Sequence, residues 1–108
     1  MPAGTYQINA FANARSDGTG ITPHRLRFRN ASDSTTAILG AGSVNSGETG
    51  IDFDALPTAT LQGYVTISAT KNFELQHFKG GSGNVTGGFP IGSGESEVHA
   101  DILIRKVD

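Results

Sequence analysis

Arg25, Arg27 and Arg29 alternate with Leu26 and Phe28 in the stretch HRLRFRN, so an extended chain would carry three guanidinium groups on one face. Their spacing along a strand is about 7 Å, suited to the phosphates of a nucleic acid or the carboxylates of an acidic partner. The plainer alternative is a solvated strand face whose charges pair across a sheet with Glu74 and its neighbours, each pair contributing roughly 0.2–1 kcal/mol. The chain has 8 Lys plus Arg against 10 Asp plus Glu, a net charge of −2. A general nucleic-acid binder draws most of its affinity from excess positive charge, so the reading here is a protein-facing or solvated arginine face and no nucleic-acid partner.

The other chemistry-bearing residues are sparse. His24, His77 and His99 are far apart in sequence, and a metal site would need two or three of them to converge with a carboxylate. Strand histidines more commonly pack or hydrogen-bond, so no metal and no cofactor is expected. Asp52 and Asp54 share one side of an extended segment close to Glu48. Clustered carboxylates can hold Ca²⁺, but the D-x-D-x-D-G loop is missing, and these aspartates are read as interface or recognition candidates. The run GGSGNVTGG (80–88) lacks the Lys-Ser/Thr of a phosphate loop and no helical pattern follows it. It reads as a surface loop, with Phe89 as its nearest aromatic side chain. Asn30 and Asn84 head N-x-S/T triplets that carry meaning only after a secretory signal, and the opening MPAGTYQINAF shows none. No G-x-S-x-G and no cysteine is present, which removes thiolate chemistry, disulfides and Cys-based zinc sites. Glycosidase-style carboxylate pairs are not singled out by spacing. The expectation is a protein that is not an enzyme.

The elements that must position these residues have a period of two. In Thr5–Ala14, Tyr6, Ile8, Ala10 and Ala12 face one way. Leu26 and Phe28 oppose the arginines. Leu61, Val65, Ile67 and Ala69 oppose Gln62, Thr66 and Ser68, while Phe73, Leu75 and His77 oppose Glu74, Gln76 and Phe78. The final run sets Val98, Ala100, Ile102 and Ile104 against a mixed face of His99, Asp101, Leu103 and Arg105. A short strand is expected at Thr36–Leu39, with weaker extended pieces near Ile51–Ala55 and Val85–Ile91. Turn signals fall at 16–20, 30–34, 40–50, 80–88 and 92–95, and no helical period occurs. The 108 residues, 15 of them glycine and only 36% apolar, fit one domain with a thin core. These patterns predict an all-β antiparallel sandwich or jelly roll of six to eight strands over residues 1–108. Phe73, Leu75, Ile102 and Ile104 are expected in its core. No stretch is long and apolar enough for a membrane helix, so a soluble chain made in a cytoplasm is expected.

At MPAGTYQI, HRLRFRNASDST, TKNFELQHF and SEVHADILIRK the chain resembles a group of tailed-bacteriophage virion proteins, comprising structural, tail-fibre and head-fibre proteins. The matching positions are Pro2 to Tyr6, His24, Asn30 to Thr35, Thr70 to His77, Gly88-Phe89, and Glu97-Val98 through Lys106, which together span nearly the whole chain. The Phe73–His77 block with the terminal strand is the most specific part. The resemblance implies a jelly roll similar to the C1q and tumour-necrosis-factor modules, usually trimeric and exposed on the virion. Two departures stand out. Members of the group commonly carry strands before P-A-G-T-Y, whereas Met1 nearly touches that motif here, so the domain is expected to lack an N-terminal strand that a neighbour would supply or cover. No heptad or triple-β stalk is present either. Together these imply a non-enzymatic, homotrimeric virion-surface module contacting other virion proteins, as a capsid decoration or cement protein. The Arg25, Arg27 and Arg29 face, Asp52, Asp54 and Leu103 are its candidate contacts. The alternative is a tail-fibre tip that binds a receptor or host glycan through loops 40–50 and 80–88 and Phe89. A third reading, weaker than both, is a nucleic-acid-binding regulatory domain that uses the arginines.

Overall fold

The computed structural model describes residues 1–13, 15–16, 20–41, 43–47, 58–80, 85–86 and 100–108. These residues form strands β1 (Gly4–Asn13), β2 (Arg15–Ser16), β3 (Gly20–Asn30), β4 (Thr35–Leu39), β5 (Ser43–Gly47), β6 (Thr58–Ile67), β7 (Phe73–Lys79), β8 (Val85–Thr86) and β9 (Ala100–Lys106), with no helix among them. The fold is an antiparallel β-sandwich. Its first sheet has the order β6-β1-β9, and its second has β3 at the centre. Because β7 pairs with β3 from His24 to Asn30, β4 and β5 must follow one another along the opposite edge of β3. The two-residue segments β2 and β8 pair with each other.

Alternation is what makes two layers possible. On β1, Tyr6, Ile8, Ala10 and Ala12 are buried, and on β6 Ala59, Leu61, Val65 and Ile67 join them. The second sheet contributes Leu26, Phe28 and Ile38, and the ring of Phe28 stacks on Phe73 with centroids 4.8 Å apart. Phe73, Leu75 and Ile102 are half-buried against this cluster. Ile104 departs from its expected place. It pairs with the fully buried Ile8, yet 43% of its surface remains exposed, because β9 is an outer strand of its sheet among the described residues. Ala69 lies beyond the end of β6 and is also exposed. The segment 43–47, expected as part of a turn, is the strand β5, and the Ile51–Ala55 segment lies outside the described residues.

Two local devices join the layers. At the break between β4 and β5, the Gly40 N–H donates to Leu26 O of β3 at 2.9 Å, and the Ala41 N–H donates to Thr60 O of β6 at 3.0 Å. Consecutive residues thus bond to opposite sheets. The second device is a polar clasp at one end of the sandwich, where the turn between β3 and β4 meets the turn before β7. Buried Asn30 donates from Nδ2 to Asp33 Oδ2 and accepts the Asp33 N–H at Oδ1. Lys71 Nζ bonds Asp33 Oδ1 at 2.8 Å, and this bond holds the Asp33 carboxyl below its ordinary value. Ser32 Oγ accepts from the Asn72 N–H, and the Ala31 N–H donates to Asn72 O. The Met1 amino group donates to Lys71 O, with the Lys71 N–H returning the bond to Met1 O. The blocks NASDS and TKN, 40 residues apart in sequence in the Ser32–Asn72 bond, therefore form one knot with the amino terminus. Ser34 closes the β3–β4 turn in the left-handed region, at φ 55°.

Candidate interaction surfaces

The outward face of the second sheet carries all three arginines. Register sets Arg25 opposite Phe78, Arg27 between Leu39 and Gln76, and Arg29 between Thr36 and Glu74. Gln76 is the organising residue. Its Oε1 accepts from Arg27 Nε at 2.9 Å and also from Arg27 Nη2, while its Nε2 donates to Glu74 Oε2 at 2.8 Å. The expected pairing of the arginines with Glu74 is not formed among the described residues, where the Glu74 carboxylate accepts from Gln76 instead. Arg25 and Arg29 make no ion pair with any described residue. The face also holds two apolar side chains that an outward position does not require. Phe78 is 67% exposed and Leu39 is 56% exposed. A shallow recess of about 260 Å³ lies between them, lined by Arg25, Arg27 and Thr36 as well.

The inward face of the same strands holds an imidazole pair. His24, on β3, is buried, and its Nδ1 lies 2.9 Å from Nε2 of His77 on β7, with the rings edge to face. In such a contact one ring donates its N–H and the other accepts, so the bond is lost when both rings are protonated. Partial burial lowers the His77 pKa from its ordinary 6.5 by penalising the charged form. Below the unfolded value of about 6.5 the unfolded chain then binds more protons than the folded one. The stabilisation is complete above that pH and is lost as pH falls toward the lower folded value. Thermal melts between about pH 7.5 and 5 should show the midpoint falling with acidification, and His77→Gln should flatten the fall. An unchanged slope in the variant would remove the pair as its source.

Leu103 lies on the opposite side of the molecule from the arginines. It is on the outward face of the first sheet, opposite Asn9 of β1, and is 64% exposed. It borders a second shallow recess of about 310 Å³ lined by Asn9, Phe11, Thr60, Gln62 and Asp101. Val107 and the inward-pointing Ile104 are exposed as well, so β9 shows apolar side chains to solvent from both of its faces. Asp52, Asp54, Phe89 and His99, with residues 42 and 48–50 of the first loop and 81–84 and 87–88 of the second, lie outside the described residues. The described residues contain no group of three metal-ligating side chains.

Phe78 and Leu39 were not singled out by the sequence reading. The signal was present for Phe78, which falls on the polar side of its strand with Glu74 and Gln76. For Leu39 it was absent, because the irregular register between β3 and β4 after Phe28 decides which way that strand end points. These features define the chain as a two-sheet antiparallel β-sandwich with an arginine-bearing outer face and an uncovered apolar terminal strand. No family model, curated protein or solved structure matches it.

Proposed function

We propose that this protein is a non-catalytic structural module that acts by assembling with copies of itself and with other proteins on the surface of a tailed-phage particle. The observation that carries the reading is β9. A strand with the near-continuous apolar run Ile102-Leu103-Ile104 has the pattern of one covered on both faces. In the isolated chain Leu103 and Ile104 remain 64% and 43% exposed. Apolar surface of this kind marks a protein contact, and a second subunit is the simplest cover for it. The resemblance at PAGTY, NASDST, TKNFELQH and the terminal strand supports a virion role and a homotrimer. Capsid decoration is the first reading and a receptor-binding fibre tip the second. Subunits held by such a surface gain stability by mass action on assembly.

Two measurements test this. Sedimentation of the purified chain should give a trimer, and Leu103→Asp should return it to monomer without lowering the monomer's melting temperature. A wild-type monomer at all concentrations would remove self-assembly. Immunogold microscopy of phage particles with antibody to the chain should label the head surface. Label on the tail tip alone would make the module an adhesin, and unlabelled particles would end the virion reading.

A further inference from the structure

The β9 surface accounts for assembly, but it leaves the arginine face on the opposite side of the sandwich without a role. We propose that this face is a docking site for an acidic polypeptide segment with apolar anchors, contributed by a different protein. The inference rests on the assembly reading above only in supplying the partner chemistry for its second surface.

Three observations carry it. The first is charge. Arg25, Arg27 and Arg29 stand in file with one carboxylate, Glu74, in register among the described residues, three positive charges against one negative. The face is therefore locally cationic on a chain whose net charge is −2, and its complement is an anion. The second is preparation of the donors. Gln76 fixes the Arg27 guanidinium through Nε and Nη2, leaving the N–H groups of Nη1 for an incoming acceptor. A guanidinium held in this way presents the fork that matches a carboxylate and loses little freedom on binding. The third is the apolar frame. Leu39 and Phe78 flank Arg25 and Arg27, and a second recess of about 240 Å³ opens on the other side of Phe78, lined by Pro23, His24, Arg25 and Gly80. Phe78 thus stands as a ridge between two hollows.

Exposed aromatic and arginine side chains at a recess are the composition of a protein-binding hot spot. A nucleic acid would use the arginines but would leave Leu39 and the apolar hollows empty. Carboxylates in an extended partner recur every second residue at about 7 Å, the interval between the arginines themselves. The partner chemistry is accordingly an extended segment whose inward face carries carboxylates two residues apart, flanked on that same face by large apolar side chains that fill the recesses.

The test is fluorescence anisotropy of the full chain with three labelled probes: a peptide carrying Leu, Asp, Asp and Phe at successive alternate positions with Ser between them, the same peptide with Asn for Asp, and a single-stranded oligonucleotide. The acidic peptide should bind, and the Asn version should bind at least about tenfold more weakly, as expected for loss of a charged hot-spot contact. Arg25→Ala and Phe78→Ser should each weaken the acidic peptide by about tenfold or more, with the sedimentation behaviour unchanged. The Arg25 side chain makes no hydrogen bond or ion pair among the described residues and the backbone ladder survives its truncation, so Arg25→Ala leaves folding intact. Leu103→Asp should leave peptide affinity unchanged while altering assembly, so failure of one surface is distinguished from failure of the other. Equal binding of the acidic and Asn peptides, indifference to Arg25→Ala, or no peptide binding would overturn the proposal. So would tighter binding to the oligonucleotide with a steep dependence on salt.

Discussion

Replacing Phe28 with alanine should destabilise the chain by about 3–5 kcal/mol, the range for removing a fully buried aromatic side chain. Phe28 is only 2% exposed and is among the largest fully buried side chains. Its ring lies nearly parallel to that of Phe73, at an interplanar angle of 10°, so truncation removes an aromatic contact as well as filled volume. A domain of this size has a total stability of about 5–15 kcal/mol, so the variant would retain little. At roughly 4 °C per kcal/mol for a chain near this length, the melting midpoint should fall by about 12–20 °C. Urea titration supplies the check, since the midpoint should drop while the slope holds. Phe73→Ala should cost less than Phe28→Ala, because Phe73 is only half-buried. If Phe28→Ala melted with the wild type, the packing of the two sheets over this residue would be wrong.

The second large effect is expected at Gly40. A methyl group there would lie 2.6 Å from Thr60 O, 2.9 Å from Leu26 O and 3.2 Å from Leu61 Cβ. The two carbonyls are the acceptors of the bonds that hold the β4–β5 break against both sheets, so neither can retreat without lengthening a bond. Overpacking costs about 1–3 kcal/mol, and each weakened backbone bond adds about 0.5–1.5 kcal/mol. Gly40→Ala should therefore cost about 2–6 kcal/mol. Gly63 is the internal comparison. The three atoms nearest an added methyl there all belong to the Ile38 side chain, at 3.0–3.2 Å, and a side chain can adjust where a carbonyl cannot. Gly63→Ala should cost about 1 kcal/mol. Equal losses at the two glycines, read from the same urea titrations, would show that the stitch across the sheets contributes nothing.

Legibility in the sequence followed the range of the interaction. Alternation in β1 and β6 assigned Tyr6, Ile8, Ala10, Ala12, Leu61, Val65 and Ile67 to the interior, because the side-chain period of a strand is a property of the strand alone. The same rule set Arg25, Arg27 and Arg29 outward and Leu26 and Phe28 inward. Composition argued for turns and a thin core, and NASDS announced its turn through side chains that bond their own backbone. Gly40 looked like any glycine in a turn-rich stretch. Its importance depends on Leu26 and Thr60, which come from different sheets.

The candidate surfaces divide in the same way. The sequence by itself determined that three arginines share a face and that the terminal strand has one apolar face and one mixed face that includes Leu103. Only the tertiary structure decided that Gln76 stands between Arg27 and Glu74, that Phe78 and Leu39 frame the arginines, that His24 meets His77, and that β9 is an outer strand leaving Ile104 in solvent. Those outcomes depend on strand order and register between segments distant along the chain. Alternation within a strand carries no information about which neighbour it will meet, or at what offset.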